Sequence, residues 1–209
     1  MTKVPVARVV LEADIVVPGG ASGAVVFAHG SGSSRLSPRN RYVAEQLQTA
    51  GLGTVLVDLL TPEEEHIDAR TGSLRFDIDL LSARMATLID WAGQHEKTAG
   101  LDIGLFGAST GAAAALVAAA MRSHEVLALV SRGGRPDLAG ESLGLVRQPT
   151  LLIVGGRDET VIELNRQAME RLKGQTRLEI IPGASHLFEE AGALEQVAQL
   201  ARNWFTEYL

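Results

Sequence analysis

Apolar residues along this chain fall into two rhythms that alternate. Short continuous runs, Ala24 to Ala28, Gly53 to Val57, Ile103 to Phe106, Val126 to Val130, Leu151 to Val154 and Leu178 to Ile181, have almost no polar face. Runs of that kind read as strands buried on both sides. Between them the period lengthens. Leu74, Ile78, Leu81, Met85, Leu88 and Ala92 recur at helical steps, which predicts one long amphipathic helix from Leu74 onward with Arg75, Asp77, Arg84 and Asp90 off its apolar line. Val43 with Leu47 and Ala50, Val161 with Leu164, Ala168 and Leu172, and Leu194 with Val197, Ala201, Trp204 and Tyr208 repeat the pattern. Ser37 followed by Pro38 starts the first of these helices, and Gly51 and Gly174 end two of them.

The remaining stretches are connections. Residues 4 to 17 are rich in Val and Ile and read as one long strand or two short ones, ended by Pro18, Gly19 and Gly20. Asp58 to Arg70 reads as a polar, solvated loop or the start of a helix, with Glu63, Glu64 and Glu65 lacking any partner at metal-binding spacing. Residues 131 to 148 form a link with room for one brief helix and not for a large cap. Alternating strands and helices, with strands too apolar for a wet face, predict a single α/β domain over residues 1 to 209. Its sheet is mostly parallel, with helices on both faces and no large cap domain.

In such a sheet functional groups gather at the carboxyl ends of the strands. Four stretches follow predicted strands directly: HGSGSS at 29 to 34, GASTG at 107 to 111, GGRDE at 155 to 159 and GASHLF at 183 to 188. Ser109 in GASTG sits between a strand and the alanine-rich helix Ala112 to Met121, so it stands on a sharp bend, and Gly107 and Gly111 free that bend of side chains. A serine there faces helix N–H groups that favour developing negative charge. His186 is the candidate base and Asp158 the carboxylate that would orient it, in the chain order serine, aspartate, histidine. Asp137 is the alternative acid, and Asp158 also fits an N-cap role. The backbone N–H groups of Ser31 and Thr110 are the candidate oxyanion donors, with His29 as a buttress of the loop.

Composition narrows the chemistry. The chain has no cysteine, which removes disulfides, zinc–thiolate sites and a cysteine nucleophile together. A formal net charge of −6 argues against a nucleic-acid partner. No apolar run reaches membrane length and no signal-peptide core is present, so the expectation is a cytoplasmic protein with a small-molecule substrate and no cofactor, metal or membrane partner. Arg35, Arg132 and Arg135 could bind an acidic substrate at the mouth of the site, although solvated side chains fit the pattern better.

With these motifs the sequence resembles the α/β-hydrolase superfamily, and within it the small lidless enzymes related to dienelactone hydrolase. The resemblance rests on the four stretches quoted above and spans essentially the whole domain. It implies about eight strands, a Ser109–Asp158–His186 triad, and hydrolysis of an ester, thioester or lactone through an acyl-enzyme. One departure matters: dienelactone hydrolase uses a cysteine where this chain has Ser109, which favours a general carboxylesterase. A non-catalytic binding module on the same fold is the reading from another class.

Overall fold

The computed structural model describes all 209 residues. Eight strands, β1 (Thr2–Val6), β2 (Val9–Val16), β3 (Gly23–Ala28), β4 (Gly53–Val57), β5 (Asp102–Ala108), β6 (Val126–Arg132), β7 (Thr150–Gly155) and β8 (Thr176–Ile181), form one sheet. The strand order is β1-β2-β4-β3-β5-β6-β7-β8. From β4 to β8 all neighbours are parallel, whereas β1 and β2 add an antiparallel hairpin at one edge. The apolar stretch at the start of the chain is therefore two strands, turned at Ala7, which has φ 50°.

Six helices cover the sheet: α1 (Pro38–Thr49), α2 (Pro62–Thr71), α3 (Ile78–Gln94), α4 (Thr110–Met121), α5 (Glu159–Arg171) and α6 (Ala193–Tyr208). Val43 and Leu47 of α1 pack with Val197, Ala201 and Phe205 of α6 against one face, on Phe27, Phe106 and Val130. Leu81, Met85 and Leu88 of α3 and the alanines of α4 cover the other face, on Val26, Leu105 and Leu129. Each central strand alternates its side chains between two dry layers, which is why its sequence shows no polar positions. No helix is long and apolar enough to cross a membrane. The link after β6 holds a short 3-10 segment, Pro136–Leu145, and no cap domain.

Three details depart from the sequence pattern. The stretch read as a polar loop or the start of a helix is mostly α2, started by a capping box in which Thr61 Oγ1 accepts from the Glu64 N–H and the Glu64 carboxylate accepts from the Thr61 N–H. The helix expected to run unbroken from Leu74 is a 3-10 turn, Leu74–Phe76, followed by α3, because the Asp77 side chain accepts from the Leu80 N–H and caps a new start. Arg84 is buried rather than solvated: it donates twice to Glu64, at 2.6 Å each, and once to the Leu59 carbonyl, also at 2.6 Å. These bonds hold the Glu64 carboxyl below its ordinary range.

The Arg84–Glu64 pair thus ties α2 to α3 through a charge that cannot reach water. Replacing Glu64 with Ala strands that guanidinium and is expected to cost about 3 kcal/mol, read as a lower urea midpoint, and the double change with Arg84→Met should recover much of the loss. Glu63→Ala on the exposed side of the same turn should shift stability by no more than about 0.5 kcal/mol.

Candidate active site

Ser109 stands at the end of β5, the strand between β3 and β6. Its φ of 50° and ψ of −120° lie in a region that L residues avoid, a strain of about 1–3 kcal/mol that surrounding contacts must offset. Those contacts are visible. The Ser109 N–H donates to the Arg132 carbonyl at 3.2 Å, and the Ser109 carbonyl accepts from the Arg135 and Ala112 N–H groups. A Cβ on Gly111 would overlap the carbonyl oxygens of Ala28 and His29, and one on Gly107 would overlap the first turn of α4. Both glycines are therefore required by close approach, and Ser109 is half-buried at the sheet edge.

Asp158 ends the turn after β7 and His186 lies in the loop after β8. His186 Nδ1 is 2.6 Å from Asp158 Oδ2. Asp158 also precedes the first residue of α5, but its side chain makes no capping bond and is used by the imidazole instead. The alternative acid, Asp137, is taken by a bidentate pair with Arg135 at 2.7 and 2.8 Å. Backbone contacts staple the two loops together: the Arg157 N–H donates to the Ala184 carbonyl, and Gly155 lies so close to the Ala184 and Ser185 carbonyls that no Cβ would fit. Glu190 adds a side-chain clamp, accepting from the Ser185 N–H at 3.0 Å and pairing with Arg157. The Ser185 bond holds the Glu190 carboxyl far down, at about 2.

His186 and Ser109 lie at the same edge of the sheet. A Cβ on Gly133 would lie 3.5 Å from His186 Cε1, and Gly133 directly follows Arg132, whose carbonyl holds the Ser109 N–H. No hydrogen bond joins the imidazole to Ser109 Oγ in this structure.

The HGSGSS loop passes directly over the serine: a Cβ on Gly30 would lie 3.1 Å from Ser109 Cβ. Ser31 and Thr110 both line a cavity of about 520 Å³, together with Gly30, Leu59, Arg39 and Glu65. The Ser31 N–H makes no backbone hydrogen bond, and Thr110 is the first residue of α4, whose N–H has no helical partner. His29 buttresses the loop. Its Nε2 accepts from the Leu59 N–H at 3.0 Å, which assigns the proton to Nδ1, and Nδ1–H then donates to the Gly30 carbonyl at 2.9 Å. Arg35 fixes the far end of the loop through Asp58, donating from its backbone N–H and its guanidinium, and also pairs with Glu12.

The sequence pattern missed the buried roles of Arg84 and Glu190, and it favoured a solvated Arg132. Arg84 lies three residues after Leu81 and four before Leu88, so its phase did mark it as facing inward. Arg132 is a buried end of β6 and not a solvated cation. No local signal singles out Glu190. Nowhere do three His, Asp or Glu side chains converge as metal ligands.

Comparison with known proteins gives a consistent pattern. No family model matches the chain. A dienelactone hydrolase from Anabaena variabilis of known structure is 60% identical, with a TM-score of 0.98 over 100% of this chain and 96% of that one. Est1E from Butyrivibrio proteoclasticus shares the fold at 17% identity, with a TM-score of 0.82 over 99% of this chain and 97% of that one. An alpha-beta serine hydrolase homologue from Coxiella burnetii does so at 21% identity, with a TM-score of 0.76 over 97% of this chain and 95% of that one. Two curated proteins of Mycobacterium tuberculosis, from strains CDC 1551 and H37Rv, are each 58% identical over 195 residues, or 93% of this chain. Both bear the name "Putative phosphoribosyl transferase", and the chain spans only 43% of their length.

Burial, the largest influence, pushes His29 below its ordinary 6.5, against the opposing pull of the Gly30 carbonyl and Asp58. The unfolded chain then takes up this proton at higher pH than the folded one. The stability owed to the neutral ring is complete above about pH 6.5 and is lost as pH falls toward the folded value. Thermal melting from about pH 7.5 to about pH 5.5 should show a larger drop in Tm for the wild type than for His29→Gln, which cannot titrate.

Proposed function

Because the chain belongs to the α/β hydrolases, as a small member similar to dienelactone hydrolase, we propose that it is a serine hydrolase cleaving small or short-acyl carboxylic esters. The observation that carries this reading is the 2.6 Å bond between His186 Nδ1 and Asp158 Oδ2, made at the sheet edge where Ser109 occupies its strained bend. In the proposed reaction, His186 Nε2 takes the Ser109 hydroxyl proton as Oγ attacks the ester carbonyl. Asp158 keeps the other ring nitrogen protonated and stabilises the imidazolium. The N–H groups of Ser31 and Thr110 receive the tetrahedral oxyanion. His186 returns the proton to the departing alkoxide, leaving an acyl-enzyme. Water, deprotonated by the same imidazole, then releases the acid and regenerates the serine.

Substrate size is argued from the link after β6: its short 3-10 segment leaves little chain to enclose a long acyl group. Lactones and thioesters pass through the same tetrahedral species and stay within the proposal. The transferase name attaches to proteins more than twice as long, of which this chain spans 43%. The reading of this chain rests on its own residues.

A p-nitrophenyl ester series and a fluorophosphonate probe test it. Acetate and butyrate esters should be cleaved far faster than palmitate, and the probe should label wild type but not Ser109→Ala. Ser109→Ala and His186→Ala are expected to lower kcat by about a thousandfold or more, and Asp158→Asn by a smaller factor. Equal inertness of native and Ser109→Ala protein toward probe and esters would favour a binding module instead.

A further inference from the structure

The cavity beside Ser31 and Thr110 has a lining that ester chemistry by itself does not require. Only five of its eighteen lining residues are hydrophobic, and no Phe, Tyr or Trp is among them. Sites for apolar ligands are built the other way round, mostly from hydrophobic and aromatic side chains. One wall is α2 with the 3-10 turn that follows it, which contribute Glu65, Asp68, Ala69 and Arg75. Asp68 is the single buried residue of that helix, so apolar packing does not hold it in place. Polar ties do: Glu64 pairs with Arg84 at the first turn, and toward the end Asp68 accepts from the Leu74 and Arg75 N–H groups and from Arg75 Nε.

The wall presented in this way has hydrogen-bonding capacity left over. The exposed Glu65 carboxylate makes no hydrogen bond and no ion pair within the protein. Partial burial first, then the charge of Asp58, raise it above its ordinary range against the pull of Arg35. Arg75 gives Nε and Nη2 to Asp68 and keeps Nη1, which lies against the HGSGSS loop: a Cβ on Gly32 would be 3.6 Å from it. A third group sits on the serine's own turn. Thr110 lines the cavity at 2% exposure, and its Oγ1 is sealed without a hydrogen-bond partner. The cations of the lining are already compensated, Arg75 by Asp68 and Arg39 by Glu189. What remains open is one carboxylate acceptor, one guanidinium N–H and one hydroxyl.

We propose that this cavity receives the hydroxyl groups of a polyol, so that the preferred esters are those of sugars or similar polyhydroxylated alcohols, with Glu65 as the specificity-determining residue. A hydroxyl both donates and accepts, and so satisfies all three open groups. Two adjacent hydroxyls donate to the oxygens of Glu65, another accepts from Arg75 Nη1, and Thr110 Oγ1 takes either role. A site built around unpaired polar groups discriminates strongly against a ligand that lacks their partners. With a short acyl group at the serine, a cavity of about 520 Å³ leaves room for a monosaccharide as the alcohol. The assignment to the alcohol of an ester rests on the ester-hydrolase reading; the polyol site itself does not.

The test separates the two. 6-O-acetylglucose and cyclohexylmethyl acetate share an acyl group and a six-membered ring and differ in their hydroxyl groups. Initial rates give kcat/KM for both, and both are titrated calorimetrically into Ser109→Ala protein, which binds without turnover, with and without Glu65→Leu. The active enzyme should favour the sugar ester by about tenfold or more, and Glu65→Leu should lower that ratio by about tenfold. Glu65→Gln keeps a carbonyl acceptor without the charge and should retain most of the preference. Glu65 is exposed and unpaired, so Tm should not fall in either variant. Acetylcholine serves as the cationic ester: a preference for it over 6-O-acetylglucose that Glu65→Gln abolishes would overturn the polyol assignment in favour of a cation site. Equal kcat/KM for the two neutral acetates, or a sugar preference that Glu65→Leu leaves unchanged, would overturn the subsite while the hydrolase reading stands. Glu65-dependent binding of 6-O-acetylglucose by a protein that cleaves no ester would reject the hydrolase reading alone.

Discussion

The constraint on which the candidate site depends is the approach of α4 to the end of β3. The first turn of the helix lies against the carbonyl oxygens of Ala28 and His29 so tightly that a single methyl group on Gly111 cannot be placed. That contact fixes where the chain must turn after β5, and the turn in turn dictates the unfavourable dihedrals of Ser109. The strain is local, but what holds it is not. Bonds from Arg132, Arg135 and Ala112 converge on one residue, from the next strand, the following link and the helix itself. At this position Ser109 is only half-buried.

The same logic of backbone close approach builds the rest of the edge. The Gly133 N–H donates to the Ile153 carbonyl, and the Gly156 N–H to the Ile181 carbonyl, so each loop is tied to the strand beside it. Side chains then refine what the backbone has set. His29 and Arg35 hold the loop above the serine, and Glu190 with Arg157 closes the His186 loop onto the Asp158 loop. Carboxylates and cations are shared out among these tasks until one guanidinium, Arg132, is left without a partner among the protein's own groups.

The strands and most helices were legible in the sequence because burial on two faces or one leaves a periodic trace that short-range reading can detect. The order of Ser109, Asp158 and His186, each just past a strand, was legible for the same reason, since a parallel sheet puts such ends together. The break at Asp77 and the full ten-residue extent of the helix Pro62–Thr71 were not, because a polar segment can be helical once a capping box and a buried ion pair secure it.

Charge partners are where sequence fell silent. Asp158 was the first choice of acid and Asp137 the alternative on paper, and only the folded chain gives Asp137 to Arg135 and Asp158 to His186. Arg35, Arg132 and Arg135 are equally alike, and only packing buries one of them and pairs the other two. Periodicity records which side of an element faces inward, so the sequence by itself determined the layers, the strand ends and the glycines of the turn. Which ion meets which depends on distances between segments far apart in the chain, and those were decided by the tertiary structure alone.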